Sequence, residues 1–208
     1  ANAVLGRANK IFWSFVKYRT TAYNIDYRKL ETILLGTPVR KEIVNLYSKT
    51  FKEPKRNQSL NILILGGSLG ASVLSHNLSK IIIKLPYNLR KKIQITHQVR
   101  KEQKQKVIDE YKLANIKAEV RGFIDNLPHY LKLSHLVISR AGASTVAENL
   151  IAGKPAIYIP LPSASGNHQF LNTKDFSKKK AAWVFREEEL YEKNFLNILK
   201  KILSTKGI

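Results

Sequence analysis

The sequence contains no cysteine, which excludes disulfide bridges, thiolate metal sites and a cysteine nucleophile. It also has no long apolar run: NILILGG and AIYIPLP are as long as a strand and far short of the roughly 20 residues that span a bilayer. We therefore expect neither a transmembrane nor a secretory segment. Methionine is absent as well, so we expect the 208 residues to be a piece of a longer protein. With 44% hydrophobic residues, the chain can still bury a core.

Acidic residues are few, 15 against 36 basic ones, and the formal net charge is +21. Many Ile and Asn accompany the Lys, a mixture that a biased genome composition can produce. Such a charge nevertheless favours anionic partners such as nucleotides, nucleic acid or an acidic lipid surface. No aromatic residue interrupts the densest basic stretch, residues 90–106. We interpret that stretch as a solvated face and do not expect nucleic acid as a partner.

From residue 60 onward, short apolar runs alternate with amphipathic segments. Strands that alternate with helices indicate βαβ units and a parallel sheet. The pattern predicts a doubly wound, Rossmann-type α/β domain whose ligand crevice lies beyond the carboxyl ends of the strands. The six predicted strands are LNILILG, KIQITH, KAEVRG, HLVIS, PAIYIP and AAWVF, and helices are expected near 70–84, 100–114, 144–152 and 168–180, with a helical tail.

Residues 1–58 do not follow this alternation. RANKIFWSFVKY is helix-like, TILLGTPVRKEIVNLY indicates a short strand, a turn and a helix, and SKTFKEPKRNQS is a charged linker. We predict two parts: residues 1–58 as the end of a preceding domain with a hinge, and residues 59–208 as the Rossmann-like domain.

A first candidate site is LILGGSLGAS, residues 63–72, where a strand leads through a Gly-rich turn into a helix. Gly66, Gly67 and Gly70 let the backbone approach a ligand closely. Ser68 and the free N–H groups of the helix start suit a phosphate. The stretch is neither a Walker loop nor a complete G-x-G-x-x-G motif. Glycines that merely form a tight turn explain it about equally well.

A second candidate follows strand HLVIS, which ends at Arg140. The small residues after it, including Gly142, leave space above a helix N-terminus, and Thr145 can cap the helix or bind a phosphate oxygen. Glu148 lies three residues further on the same helix face, where its carboxylate can accept the hydroxyls of a ribose. The alternative is a Thr-x-x-Glu capping box, in which Glu148 only accepts the backbone N–H of Thr145.

A third candidate is residues 160–176, PLPSASGNHQFLNTKDF, a loop after a strand that leads into a helix carrying His168, Gln169 and Asn172. Amides both donate and accept, so this junction suits hydroxyl-rich ligands such as sugars. A surface residue or helix cap is the usual alternative. Three such junctions on strands of one sheet would face one crevice, and their convergence favours a nucleotide-sugar site.

Together these stretches give the sequence a resemblance to a known family. It resembles the bacterial glycosyltransferases that add N-acetylglucosamine to undecaprenyl-pyrophosphoryl-muramoyl-pentapeptide, converting lipid I to lipid II in peptidoglycan biosynthesis. The stretches that carry the resemblance are NAVLGRANKIF, GTPVRKEI, GGSLGA, GFIDNLPHYL, SRAGASTVAENLIAGKPAIYIPLP and NHQFLNT.

The resemblance implies a GT-B fold of two Rossmann-like lobes. This chain would be the C-terminal lobe, with the tail of an N-terminal lobe that is otherwise missing. The donor would be UDP-N-acetylglucosamine, with no cofactor and no metal. The acceptor, lipid I, would bind through the missing lobe at an anionic membrane surface. The implied location is the bacterial cytoplasm, peripheral to the cytoplasmic face of the inner membrane.

The resemblance also implies individual roles. Ser68 and Arg40 would lie near the phosphates, Ile124 would hold the uracil through its backbone, and Glu148 would bind the ribose diol. The implied donor-binding residues are Asn2, Arg40, Ser68, Ile124, Ala143, Ser144, Thr145, Val146, Ala147, Glu148 and Gln169, supported by Gly66, Gly67, Gly70, Gly142 and His168.

Members of the family invert the anomeric centre in a single displacement, which needs a base for the acceptor hydroxyl. His168 is the only imidazole in a plausible site position, and the base stays unassigned. We expect the chain to bind the donor without turning it over alone. Two alternatives remain open: a UDP-sugar epimerase of GT-B shape, and a non-catalytic basic binding remnant.

Overall fold

The structure is a computed structural model that describes residues 2–25, 31–47, 58–67, 73–162, 164, 167–179, 181–191 and 193–204. Its strands are β1 Thr20–Thr21, β2 Ile33–Leu34, β3 Leu60–Leu65, β4 Ile93–Gln98, β5 Lys117–Arg121, β6 Leu136–Ser139, β7 Ala156–Tyr158 and β8 Trp183–Val184. Its α-helices are α1 Arg7–Phe12, α2 Lys41–Val44, α3 Leu78–Ile82, α4 Tyr87–Arg90, α5 Lys104–Leu113, α6 Leu127–Leu133, α7 Ala143–Ile151, α8 His168–Lys178 and α9 Lys193–Ser204.

All six predicted strands form one parallel sheet in the order β5-β4-β3-β6-β7-β8. The chain runs outward from β3 to one edge, returns beside β3, and then runs to the other edge. This is the doubly wound order with its switch point between β3 and β6. The predicted α/β class and parallel sheet are therefore confirmed.

Burial along the strands explains their composition. Every residue of β6 and β7 is buried, as are the last four of β3, because helices cover both faces of the centre of the sheet. Strand β4 instead alternates: Ile93 and Ile95 face the core, whereas Gln94 is exposed. The apolar runs of the sequence thus correspond to central strands, and the alternation in β4 indicates a face that is only partly covered.

Helix ends follow local chemistry. Helix α7 ends in a Schellman motif: Gly153 has φ +61°, its N–H donates to the Leu150 carbonyl, and the Lys154 N–H donates to the Asn149 carbonyl. Helix α5 ends in the same way at Asn115, which has φ +54°. At the other end of a helix, the Asn126 side chain caps α6 by accepting the His129 N–H at 3.2 Å.

Several elements differ from the sequence prediction. The helix expected near 70–84 is described from a π-helical turn, Val73–Asn77, and its α-helical part ends at Ile82. The helix ends before Pro86 because a proline disfavours helical conformation in the residue before it. Pro86 is also the N-cap of the short helix α4, which was not predicted. Strand β1 was also not predicted; two residues carry no periodic signal.

The segment before residue 58 contributes to the packing of the sheet. Ile43 of α2 is fully buried in a cluster with Leu63, Val137, Ile124 and Ala152, on the face opposite the larger core. Other side chains of this segment remain exposed, among them Phe12, Phe15, Ile33, Leu34 and Leu35. The division at residue 58 stays a prediction. Within the described ranges, no helix combines the length and apolar character needed to cross a membrane.

A buried histidine connects the sheet to the turn before α3. The ring of His97 on β4 lies 2.9 Å from the Tyr111 hydroxyl through Nδ1 and 3.0 Å from the Leu74 carbonyl through Nε2. Because a carbonyl can only accept, Nε2 carries the proton and Nδ1 accepts from the tyrosine. Desolvation by burial lowers the pKa of His97 to about 4. The ring is therefore neutral at physiological pH.

This histidine makes folding sensitive to acid. In the unfolded chain its pKa is about 6.5. Between pH 6.5 and about 4 the unfolded state binds a proton that the folded state excludes, so stability falls as the pH is lowered through this window. We expect a loss of roughly 2–3 kcal/mol between pH 7 and 4.5 from this residue. His97→Gln should flatten the pH dependence in urea titrations, whereas His129→Gln, on the surface, should not. If the free energy of unfolding of His97→Gln depended on pH as strongly as that of wild type, this explanation would be wrong.

Candidate functional site

The candidate site lies at the switch point of the sheet. Strands β3 and β6 are neighbours there, and their carboxyl ends, at Leu65 and Ser139, are in register. The chain leaves β3 through Gly66 and Gly67 and leaves β6 through Arg140 to Gly142. Parallel sheets of this order bind ligands in the crevice between two such loops. The first two sequence candidates are thus brought to one place.

Gly67 is required by the backbone. Its φ is +80°, a left-handed conformation that other residues adopt at a cost, and a Cβ there would lie 3.9 Å from Arg140 Cγ. The tight-turn explanation is therefore sufficient for this glycine. Ser68 and Gly70, which the sequence analysis placed in the same turn, lie outside the described residues.

We expect Gly67→Ala to destabilise the protein by about 1–2 kcal/mol, the cost of a left-handed conformation in a residue with a Cβ. Gly122→Ala is the matched control, because no atom lies within 4 Å of a Cβ built there. It should change the free energy of unfolding by less than about 0.5 kcal/mol in urea titrations. Equal effects of the two substitutions would show that the turn at Gly67 relaxes without cost.

Gly142 differs from Gly67. It is the N-cap of α7 in an ordinary extended conformation, with φ −64° and ψ 143°, and an added Cβ would meet only Thr145 Oγ1, at 3.8 Å. Neither backbone conformation nor crowding therefore requires glycine here. Its absent side chain leaves the start of the nine-residue helix α7 open, where free N–H groups and the positive end of the helix dipole favour an anion.

The capping-box interpretation of Glu148 is wrong. Helix α7 begins at Ala143, so Thr145 is its third residue and Gly142 takes the N-cap position without a side chain. A capping box needs the Thr itself at the N-cap. Of the other predicted residues on this helix, Ser144 is exposed, Ala147 is half-buried, and Val146 points into a small cluster with Ala141, Ala156 and Tyr158. Val146 could therefore meet a ligand only through its backbone.

Glu148 is paired with Arg40. Both Nε and Nη2 of Arg40 donate to Oε1 of Glu148, at 3.1 and 2.8 Å. The carboxylate side chain is only 12% exposed, whereas that of Arg40 is 51% exposed. The structure thus places the guanidinium on the carboxylate that was predicted to bind ribose. The predicted phosphate contact of Arg40 stays a prediction.

Arg140 is a site residue that the sequence analysis treated only as the end of a strand. It is 7% exposed, its Nη1 donates to the carbonyls of Ile159 and Pro160 at 3.0 and 3.3 Å, and its Nη2 forms an ion pair with Glu187. Its Cγ lies 3.9 Å from the point that a Cβ at position 67 would occupy. Arg140 therefore ties together the ends of β6 and β7 and the loop after β8. The sequence did contain a signal for this ion pair, because Arg140 follows β6 and Glu187 follows β8 of the same sheet.

Gln169, on the first turn of α8, fixes two loops. Its Oε1 accepts the N–H of Ala141 at 3.2 Å and of Leu161 at 3.0 Å. Two N–H donors require the oxygen at this position, so the orientation of the amide is determined. A sugar hydroxyl could be contacted by the remaining Nε2 group. His168 beside it is half-buried at the start of the same helix.

Asn172 serves the fold instead of a hydroxyl-rich ligand. It is 1% exposed, its Nδ2 donates to the Ala141 carbonyl at 3.0 Å and to Asn2 Oδ1 at 3.2 Å, and its Oδ1 accepts the Ala3 N–H at 2.8 Å. These bonds bring Asn2, a predicted donor-binding residue, to the loop that opens α7. Residues far apart in the chain therefore meet at the crevice.

Ile124 follows β5 and is 7% exposed in the cluster that contains Ile43. Ile124, predicted to hold the uracil through its backbone, therefore packs in the same cluster as α2, the helix that begins directly after Arg40. Among the residues that the structure describes, no group of three or more His, Asp or Glu side chains is arranged to hold a metal ion.

Comparison with known proteins identifies the family. The profile of the glycosyltransferase family 28 C-terminal domain matches residues 61–207. The chain belongs to this family.

Several relatives of the family 28 domain have names that describe one reaction. The chain is 41% identical over 180 residues, 84% of its length and 46% of the relative's, to the UDP-N-acetylglucosamine--N-acetylmuramyl-(pentapeptide) pyrophosphoryl-undecaprenol N-acetylglucosamine transferase of Zymomonas mobilis. The protein of the same name in Wolbachia pipientis is 34% identical over 205 residues, 98% of this chain and 58% of that protein. The chain spans about half the length of these relatives.

A solved structure supports the same family assignment. The crystal structure of Acinetobacter baumannii MurG matches 99% of this chain and 56% of that one, with a TM-score of 0.76 and 28% identity. The six-stranded sheet of the family 28 domain thus corresponds to the C-terminal lobe of a GT-B glycosyltransferase. The resemblance seen in the sequence is confirmed at the level of the family and the fold.

Proposed function

We propose that this chain is the donor-binding half of an inverting N-acetylglucosaminyltransferase that converts lipid I to lipid II in peptidoglycan biosynthesis. One observation supports this most. At the switch point of a family 28 domain, the open N-terminus of α7 lies one helical turn before Glu148. The names of the relatives support UDP-N-acetylglucosamine as the donor.

The residues of the crevice suggest how the donor is held. In the part of the crevice that the structure describes, Arg40 and Arg140 are each paired with a carboxylate. Recognition of the diphosphate therefore rests mainly on backbone N–H groups at the start of α7, where the predicted residues Ala143, Ser144 and Thr145 lie. These groups are fixed before the ligand arrives. They can stabilise the negative charge that grows on the diphosphate as UDP leaves.

The sugar end of the donor would lie toward the loop that Gln169 fixes. Gln169 holds the backbone at Ala141 and Leu161, so its Nε2 is presented from a rigid position. Ile124 would receive the uracil beside the cluster that contains Ile43. The base that deprotonates the acceptor hydroxyl remains unassigned.

The acceptor and the location belong to the same proposal. Lipid I would bind mainly to the part of the full-length protein outside this chain, at the cytoplasmic face of the inner membrane. The net charge of +21 supports an anionic membrane surface as a neighbour. We expect this chain alone not to transfer sugar to a lipid I analogue.

Competition experiments test the proposal. Fluorescent UDP bound to the chain should be displaced by UDP-N-acetylglucosamine and by UDP, but not by ADP at the same concentration. Displacement by all anions alike, with binding lost at raised salt, would instead indicate the basic binding remnant. Sugar transfer by this chain alone to a lipid I analogue would contradict its role as a half-site.

A further inference from the structure

We infer that the amino end of the sheet carries a docking surface for an anionic lipid membrane. We call this surface the basic end; its residues are Lys84, Tyr87, Arg90, Lys91, Lys92, Lys112, Leu113 and Lys117. The inference rests on the proposed function, which places the chain beside an anionic membrane. It goes further because it names the surface of this chain that faces the lipid, at the end of the sheet opposite to the ligand crevice.

The basic end is formed by two segments that precede neighbouring strands. Residues 84–92 lead from α3 into β4, and residues 112–117 lead from α5 into β5. Strands β4 and β5 pair in parallel, with Gln94 opposite Lys117, so the two segments lie side by side. A hydrogen bond joins them directly, because Arg90 Nη1 donates to the Ala114 carbonyl at 3.0 Å.

The charge of the basic end has one sign. Every charged residue in its two segments is a Lys or an Arg, and all of these lysines are exposed. The acidic residues that flank the second segment are engaged elsewhere: Glu110 accepts a hydrogen bond from Ser79, and Glu119 is paired with Arg121. The surface therefore keeps a local positive charge that an anionic partner can neutralise.

Two large side chains project among these charges. Tyr87 is 53% exposed and Leu113 is 85% exposed. The ammonium group of Lys91 lies 4.5 Å from the centre of the Tyr87 ring, so the ring stands within the charged surface. This combination suits a bilayer interface, where apolar tips enter the headgroup layer and lysines meet anionic headgroups. A polyanion would be held by the charges and gives no role to Leu113.

The structure divides the basic stretch at residues 90–106 into two groups. Arg90, Lys91 and Lys92 precede β4, whereas Lys101 and Lys104 follow its other end. The six residues of β4 separate the groups by roughly 20 Å. Lysines of the same stretch therefore lie at opposite ends of the sheet, and the second group provides a control with the same charge.

The test measures binding of the full chain to sedimented vesicles, made of phosphatidylcholine alone or with about one-third phosphatidylglycerol. Wild type should bind only the anionic vesicles. Replacing both Lys91 and Lys92 by Gln should weaken this binding roughly 25-fold, because each lysine at such a surface strengthens binding roughly fivefold. Replacing both Lys101 and Lys104 by Gln removes the same charge at the other end and should weaken binding less than about threefold.

A second pair of variants tests the apolar contribution. Tyr87→Ser should weaken binding to anionic vesicles about tenfold, because the ring no longer enters the headgroup layer. Phe123→Ser is the matched control: this ring is 68% exposed just beyond the other end of β5, and its loss should change the affinity less than about twofold. The midpoint of urea unfolding should match that of wild type for the Lys91 and Lys92 double variant and for Tyr87→Ser, which shows that both are folded.

Three results would overturn the inference. Equal losses for the two lysine pairs would mean that net charge alone explains binding. An unchanged affinity for Tyr87→Ser would indicate a surface for polyanions instead of lipid. A chain that binds UDP but not anionic vesicles would contradict the inference and leave the donor site of the proposed function intact. A chain that binds anionic vesicles through the basic end but does not bind UDP would instead contradict the proposed function.

Discussion

Arg140→Leu is expected to destabilise the protein by about 3–5 kcal/mol, the range for removing one partner from a buried ion pair. Arg140 is 7% exposed and satisfies the carbonyls of Ile159 and Pro160 as well as Glu187. Leucine replaces the volume but none of the donors, so three acceptors lose their partner. The midpoint of urea unfolding should fall markedly.

Two further variants make this result specific. Arg121→Leu breaks an exposed pair with Glu119, where the side chains are 41% and 45% exposed, and should cost less than about 1 kcal/mol. Glu187→Leu in the Arg140→Leu background removes the stranded charge and should recover part of the loss. A loss below 1 kcal/mol for Arg140→Leu alone would show that the guanidinium does not hold the ends of β6 and β7 and the loop after β8 together.

Ile43→Ala is expected to cost about 2–5 kcal/mol, because it leaves a cavity in a small cluster that has few residues able to collapse into it. Ile43 is fully buried against the sheet although it lies before the predicted domain boundary. The same change should leave Arg40 less firmly held, and we expect the affinity for UDP to fall as a result. Val44→Ala, at a position that is 46% exposed, is the matched control and should have little effect. Equal losses would mean that α2 does not stabilise the sheet.

The sheet could be predicted from the sequence because of the way that parallel strands are buried. Central strands covered on both faces need unbroken apolar runs such as ILIL and LVI, and their alternation with helical segments along the sequence indicates a parallel sheet. The ligand end of the sheet then follows from the strand order alone. Gly67 and the small residues at the start of α7 lie at this end of neighbouring strands, and their part in ligand binding stays a prediction.

Other parts of the site could not be predicted because they depend on contacts between distant segments. Nothing near Arg40 in the sequence indicates Glu148, and Ile43 lies in a segment that resembles a hinge. The burial of Arg140 depends on carbonyls of Ile159 and Pro160 and on Glu187, which only the fold brings together. The spacing of Thr145 and Glu148 fitted a capping box equally well until the position of the N-cap decided against it.

The most direct test of the central claim, that Glu148 recognises the nucleotide instead of stabilising the helix, is to measure UDP affinity and melting temperature side by side for wild type and Glu148→Gln. Glutamine keeps the shape but loses the charge-assisted hydrogen bonds, so we expect affinity to fall by about tenfold or more. The ion pair with the half-exposed Arg40 contributes less than about 1 kcal/mol, so the melting temperature should fall by no more than about 2–4 °C. A Glu148→Gln variant that binds UDP like wild type while melting much lower would contradict the account.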